Sequence, residues 1–153
     1  MIPSFALDEI VTSEPTRSAR LKWVIVVDKT VPAGRMVNAV ACIAAATGHL
    51  VEGLVAHGGP DADGVAHPGL PWAGCSILSA GPEQLVHVRR KATESDAILV
   101  VDMPLAAQTN RVYDEYLAEL ATTSTADVAA NALSLIGPRD RIDAIVKRLS
   151  LLA

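Results

Sequence analysis

The feature that most constrains this chain is the pairing of two apolar runs across a short break. Leu21–Asp28 (LKWVIVVD) is a near-continuous β-branched stretch, as expected of a strand buried on both faces. Pro32 and Gly34 interrupt it, and Arg35–Thr47 then reads as a helix with Gly48 as its stop. That helix is apolar almost all round, which predicts burial. A strand–loop–helix unit of this kind is the nucleus of an α/β domain.

The rest of the chain continues the alternation. Met1–Arg20 mixes Pro, Ser, Thr and charge around one short candidate helix at Phe5–Val11, and reads as an N-terminal arm (residues 1–20) leading into a single domain (21–153). Val51–Val55 is a candidate short strand. Ala56–Gly74 is dense in Gly, Pro, Asp and His and reads as a long ordered loop, a kind that is often functional. Cys75–Ala80 and Ala97–Asp102 (AILVVD) read as strands on either side of a helix opened by Pro82, whose buried face is Leu85, Val88 and Ala92. A third helix spans about Asn110–Leu120, and Asn131–Ile136 is the last strand. Gly137 and Pro138 open a final helix with Ile142, Ile145, Val146 and Leu149 on one face, and with Arg139–Asp143 and Asp143–Lys147 as i,i+4 pairs outside. The expected fold is three-layer α/β/α, with a mixed, mainly parallel sheet of about four strands.

Composition narrows the class of protein. The chain has 153 residues, half of them hydrophobic, which suits one domain with a real core and excludes a disordered chain. With one Phe, two Trp and two Tyr, that core must be built from Ala, Val, Leu and Ile. The longest nearly apolar run, Met36–Ala46, is too short to cross a bilayer. No basic patch followed by a greasy stretch marks the N-terminus, so the reading is cytoplasmic, with Cys42 and Cys75 as free buried thiols. A net charge of −4 argues against a generic nucleic-acid binder. The high aliphatic content of so small a domain hints at an interface, hence a homodimer.

Common signatures are absent: no phosphate loop, no G-x-G-x-x-G after a strand, no H-E-x-x-H, C-x-x-C or G-x-S-x-G. The strongest local constellation is Asp28, Lys29, Gly34, Arg35 and Asn38, where a strand ends and a helix begins. Such ends are where α/β domains bind ligands, and helix-start N–H groups beside an Arg suit an anion. Asn38 is the only amide in its helix, so it needs polar partners. The His57–His67 stretch holds two His and two Asp. Turn chemistry accounts for them, and no metal or cofactor is expected. His67, next to Pro68 and Gly69, is a candidate pocket residue. Asp102 ends a buried strand and is followed by Gln108, Thr109 and Asn110; a carboxylate there suits a base or a substrate anchor. Cys42 reads as inert core, and His87, Arg89, Arg90 and Lys91 as a solvated helix face.

Three segments in order resemble the type 2 peptidyl-tRNA hydrolases. These are Lys22–Asp28 with Gly34 and Arg35; Pro82–Leu85 followed by Ala97–Asp102; and Leu133–Pro138 with the helix after it, ending Leu149–Leu152. The chain is closer still to a family of uncharacterised bacterial proteins, the domain of unknown function 2000, thought to share that fold. Its members carry a similar Asp-Ala-Asp-Gly stretch and His-Pro-Gly (here Asp61–Gly64 and His67–Gly69) and a helix like Tyr113–Tyr116. The resemblance implies a fold and no known activity. The hydrolases place a Gln and a His after their Gly-Lys, both implicated in the active site, whereas this chain has Met36–Ala45 with neither. Arg35 keeps the charge of their lysine but hardly gives up a proton. Gln108 and Thr109 faintly echo their Thr-Gln element, and Asp102 carries over cleanly.

Three functional readings follow. The first is a module binding a small anionic or polar ligand with Arg35, Asn38, His67 and Asp102 around one pocket, aided by Lys29 and Gln108. The second is a hydrolase of peptidyl-tRNA or a related ester, in which Asp102 and a water attack while Arg35 holds phosphate; tRNA would be its partner. The third is a non-catalytic homodimeric interaction protein.

Overall fold

The computed structural model describes all residues, Met1–Ala153. After two short 3-10 turns, Leu7–Glu9 and Thr16–Ser18, the elements run β1 (Leu21–Asp28), α1 (Ala33–Leu50), β2 (Gly59–Pro60), β3 (Ala66–His67), β4 (Ser76–Ala80) and α2 (Pro82–Thr93). They continue with β5 (Leu99–Pro104), α3 (Leu105–Thr109), α4 (Tyr113–Ala121), β6 (Ala130–Pro138), α5 (Arg139–Val146) and β7 (Ser150–Leu151).

β1 sits centrally because both of its faces are apolar. Trp23, Ile25 and Val27 join Ala39 and Ile43 of α1 in one cluster. Val24 and Val26 join Leu85, Val88, Ile142 and Val146 of α2 and α5 in a second. β6 divides in the same way: Ala132 and Ile136 belong to the first cluster, Leu133 and Leu135 to the second. One buried polar chain crosses the first. Trp23 Nε1 donates to Ser134 Oγ at 2.8 Å, Ser134 Oγ lies 2.7 Å from Thr47 Oγ1, and Thr47 Oγ1 donates to the Ile43 carbonyl at 2.7 Å. Each donor is used, so β1, β6 and α1 are joined at no desolvation cost left unmet.

The five-stranded sheet has the order β5-β6-β1-β4-β7. Only β1 and β4 pair in parallel; β1–β6, β5–β6 and β4–β7 are antiparallel. The expectation of a mainly parallel sheet of about four strands is therefore corrected to a mostly antiparallel sheet of five. β1, β4 and β5 do point the same way, but β6 enters between β1 and β5 in the opposite sense and takes both of their ladders. β7 adds a short edge where the final helix was expected to run on to Leu152, and Leu152 N donates to the Ile77 carbonyl.

Other expectations change locally. The candidate strand at Val51–Val55 is a turn, with only a single bridge from Val55 to Pro71. The loop from Ala56 is instead a hairpin, β2 against β3, rooted at the Val55–Pro71 bridge and the backbone hydrogen bonds from Ala56 N to Leu70 O and from Trp72 N to Leu54 O. Gly58 and Gly69 make it possible: a Cβ would stand 2.0 Å from the His67 carbonyl oxygen at Gly58 and 1.7 Å from that of Ala56 at Gly69. α1 is not buried all round. Its outer side is open to solvent, Val37 included, so Cys42 is exposed rather than core, and Cys75, also expected to be buried, is exposed just ahead of β4. Asp143 pairs with Lys22 instead of Arg139 or Lys147, while Arg139 donates to the carbonyls of Arg17 and Ala19. No helix is long and apolar enough to cross a membrane.

The arm lies on the domain. Phe5 is buried, its N–H donates to Glu52 O at 2.9 Å, and its ring meets Trp72 edge-on at 4.9 Å.

Candidate ligand cleft

The common direction of β1, β4 and β5 brings their carboxyl ends to one end of the sheet, with the start of β6 among them. Asp28 ends β1 there. It is buried and its Oδ1 accepts from Thr30 N at 2.8 Å and Thr30 Oγ1 at 2.6 Å, so it closes its own turn. Lys29 follows and is exposed, as is Arg35 in the first turn of α1; neither forms an ion pair.

Asn38 and Gln108 do meet. Gln108 Nε2 donates to the Arg35 carbonyl at 2.9 Å and to Asn38 Oδ1 at 3.0 Å, and its Oε1 accepts from the buried Asn131. The amide chain straps α3 onto α1 and β6. Sequence reading missed Asn131, although a lone amide beginning a buried strand is the signal that would have found it.

His67 and Asp102 go elsewhere. His67 Nε2 is 3.2 Å from Asp61 Oδ2, in the exposed hairpin. That contact, with the Val65 N–H, holds the Asp61 carboxyl below the usual carboxylate range. The loop offers no cluster of three metal-binding groups. Asp102 Oδ2 accepts from Arg89 Nε at 2.8 Å, both side chains half-buried, so Arg89 belongs to this pair and not to a solvated face.

Beside Asp102 the elements leave a cleft of about 440 Å³. Cys42, Ile43 and Ala46 of α1 and Val101–Pro104 of β5 form its floor; Ala107, the turn Asn110–Val112, Tyr113 and Tyr116 close it. Nine of its thirteen lining residues are hydrophobic, and its size falls in the range of small-molecule sites. The turn is fixed by Asn110, whose Nδ2 donates to Ala106 O at 2.9 Å and Glu119 Oε2 at 2.8 Å. Arg111 has no carboxylate partner. Tyr116 meets Tyr113 edge-on at 5.4 Å, and burial, with Tyr113 and Asp102 adding, raises its phenol, keeping it a donor. Of the six residues singled out from sequence, only Asp102 lines this cleft. Arg111 was missed because it looks ordinary in isolation, while Tyr116 reads from sequence only as part of its helix and Cys42 only as core.

A mixed α/β domain with a partly apolar cleft at the edge of its sheet is the class that fold and geometry define. Residues 21–153 match the family described as "Protein of unknown function (DUF2000)", and the chain belongs to that family. Its fold is similar to that of a protein of unknown function from Agrobacterium tumefaciens strain C58, at TM-score 0.75 and 15% identity over 88% of this chain and 98% of that one. A comparison with curated proteins finds no match.

Proposed function

We propose that this chain binds a small ligand with an apolar or aromatic body and an anionic group, held in the cleft between α1, β5 and α4. The observation that carries this reading is the unpaired Arg111 at the rim of an otherwise mostly hydrophobic cleft. Apolar walls take the ligand body, while a guanidinium free of carboxylates takes a carboxylate or phosphate by paired hydrogen bonds. Tyr116, protonated, adds a donor. Arg35 and Lys29 supply further positive charge at the same end of the sheet as the start of α1, and Asn38 and Gln108 set the position of α3 below the turn that carries Arg111.

The finer architecture is part of this reading. α1 packs on one side of β1 while α2 and α5 pack on the other, which supports a three-layer domain of the type 2 peptidyl-tRNA hydrolase kind. Two free thiols without a disulfide support a cytoplasmic setting. The pairing of Asp102 with Arg89 favours binding over hydrolysis, because Oδ2 of the carboxylate is already engaged by the guanidinium rather than free to take a proton from an attacking water.

The test is thermal denaturation with benzoate, indole-3-acetate, hexanoate, inorganic phosphate and the neutral benzyl alcohol. A ligand at ten times its Kd stabilises by about 1.4 kcal/mol, or roughly 3–6 °C for a chain of this size. At least one carboxylate should raise Tm, benzyl alcohol should not, and Arg111→Ala should remove the shift. If no probe moves Tm, or if Arg111→Ala leaves the shift intact, the reading fails.

A further inference from the structure

The sheet has two edges and treats them differently. At one, β7 is two residues long. At the other, β5 is six residues long, Leu99–Pro104, and carries no lysine to guard it. Apart from its ladder with β6, no residue from Leu99 to Met103 makes a backbone hydrogen bond, so alternate N–H and C=O groups face outward unpaired. Leu99, Val100 and Val101 are all partly open despite being aliphatic. Protein chains ordinarily blunt such an edge with charge, Pro or a bulge. Here the one charge on the strand, Asp102, is taken up by Arg89 of α2, and the irregularity and the proline come only at Met103–Pro104, where the strand ends.

Apolar side chains border the edge along its length. Met1 and Ile2, 105% and 49% exposed, lie beside Ile98–Val100. Val112 and Tyr113, 50% and 72% exposed, lie beside Val101–Pro104. What fits is another extended backbone flanked by apolar surface.

We propose that β5 pairs antiparallel with β5 of a second copy of this chain, joining two sheets into one of ten strands about a two-fold axis at Val101. The strand is complementary to itself in this register. Pro104 has no N–H, so the usable strand is Leu99–Met103, and its centre is Val101. A two-fold there sets Leu99 against Met103, Val101 against Val101, and Val100 against Asp102. A centre at Asp102 would oppose two like carboxylates, and a centre at Val100 would leave Met103 unpaired. The axis stands perpendicular to the sheet, so the α1 side of one copy continues into the α1 side of the other. The size is adequate: a usable strand about 17 Å long in a layered domain about 30 Å thick covers roughly 500 Å² per copy, or about 1,000 Å² in all, the area a biological interface needs. The seam does not depend on a ligand in the cleft.

Sedimentation equilibrium from micromolar to several hundred micromolar protein should show a species of twice the 16.0 kDa chain mass. In a Cys42→Ser, Cys75→Ser background, Val101→Cys should cross-link on mild oxidation, since directly opposed Cα atoms lie about 4.5–5.5 Å apart, within disulfide reach. Val100→Cys should not, because its two copies would stand about 8 Å apart. Hydrogen exchange on the unaltered protein needs no variant to fold: amides of Leu99–Met103 should gain protection as concentration rises. A chain monomeric throughout, a dimer whose β5 amides stay unprotected, or cross-linking equal at both positions would overturn the proposal.

Discussion

Gln108 illustrates how much one side chain decides in this molecule. Its amide satisfies Asn131 on one side and the Arg35 carbonyl and Asn38 on the other. Gln108→Ala leaves the buried Asn131 without its acceptor, which costs about 1–3 kcal/mol. Asn38→Ala removes only an exposed acceptor and should cost within about 0.5 kcal/mol. Urea denaturation of the two variants measures the difference, and equal losses would mean that burial of Asn131 is not what sets the cost. The thiols separate in the same way. Both cysteines are exposed residues, but partial desolvation pushes the Cys75 thiol up to about 12, so almost none of it is thiolate at neutral pH, whereas Cys42 opens into the cleft. Brief maleimide treatment at pH 7 followed by peptide mass analysis should find Cys42 modified and Cys75 intact; preferential labelling of Cys75 would contradict this. Sequence could not sort the two. Cys42 lies in a run of Ala, Val and Ile that looks like core, and only the packing of α3 and α4 beside α1 shows which face of the run stays open.

At the scale of elements, what was legible is what local pattern dictates. The β-branched run of β1, the Pro-opened α2 and the amphipathic spacing of α5 all form where their residues predict. Strand order was not legible, because nothing in Ala130–Pro138 records that it will lie between β1 and β5 or run opposite to both. A strand buried on both faces looks the same in parallel and antiparallel company. The hairpin at Gly59–His67 was hidden for another reason. Its Gly, Pro and Asp signal turns, but the close approach of Gly58 to His67 and of Gly69 to Ala56 is a cross-strand relation invisible along the chain. Gly58→Ala should unseat the hairpin alone, whereas Gly69→Ala also presses on Ala56, which packs against the first apolar cluster, and should cost more. No residue of Gly59–His67 belongs to either apolar cluster, so in Gly58→Ala global stability should change by less than about 0.5 kcal/mol while limited proteolysis within Ala56–Leu70 accelerates. A large fall in Tm in that variant would show the hairpin to be integral to the core.

Across the whole molecule, the N-terminal arm is held to the domain by two different forces, and pH separates them. Phe5 is buried against Trp72, a contact indifferent to pH. Glu9 accepts from the Arg20 guanidinium and from the Ala6 N–H, and this lowers its carboxyl from an ordinary 4.5 to about 2, with Arg20 the larger cause. A folded-state value that is depressed contributes stability fully present above the unfolded value and lost as pH falls through the folded one. The ion pair should therefore hold the arm fully above about pH 4.5 and weaken progressively down to about pH 2. Arg20 Nη2 also donates to the Ser4 carbonyl at 2.9 Å, so losing the pair loosens the segment just ahead of Phe5. As Phe5 departs, Trp72 gains water, and tryptophan emission should shift to the red across that window before the domain itself unfolds. Trp23, enclosed in the core and bonded to Ser134, should not contribute until global unfolding. Glu9→Gln cannot ionise, so its emission should be flat between pH 4.5 and 2 wherever the domain stays folded. An acid-induced shift of equal size in that variant would mean that another carboxylate, not Glu9, fastens the arm.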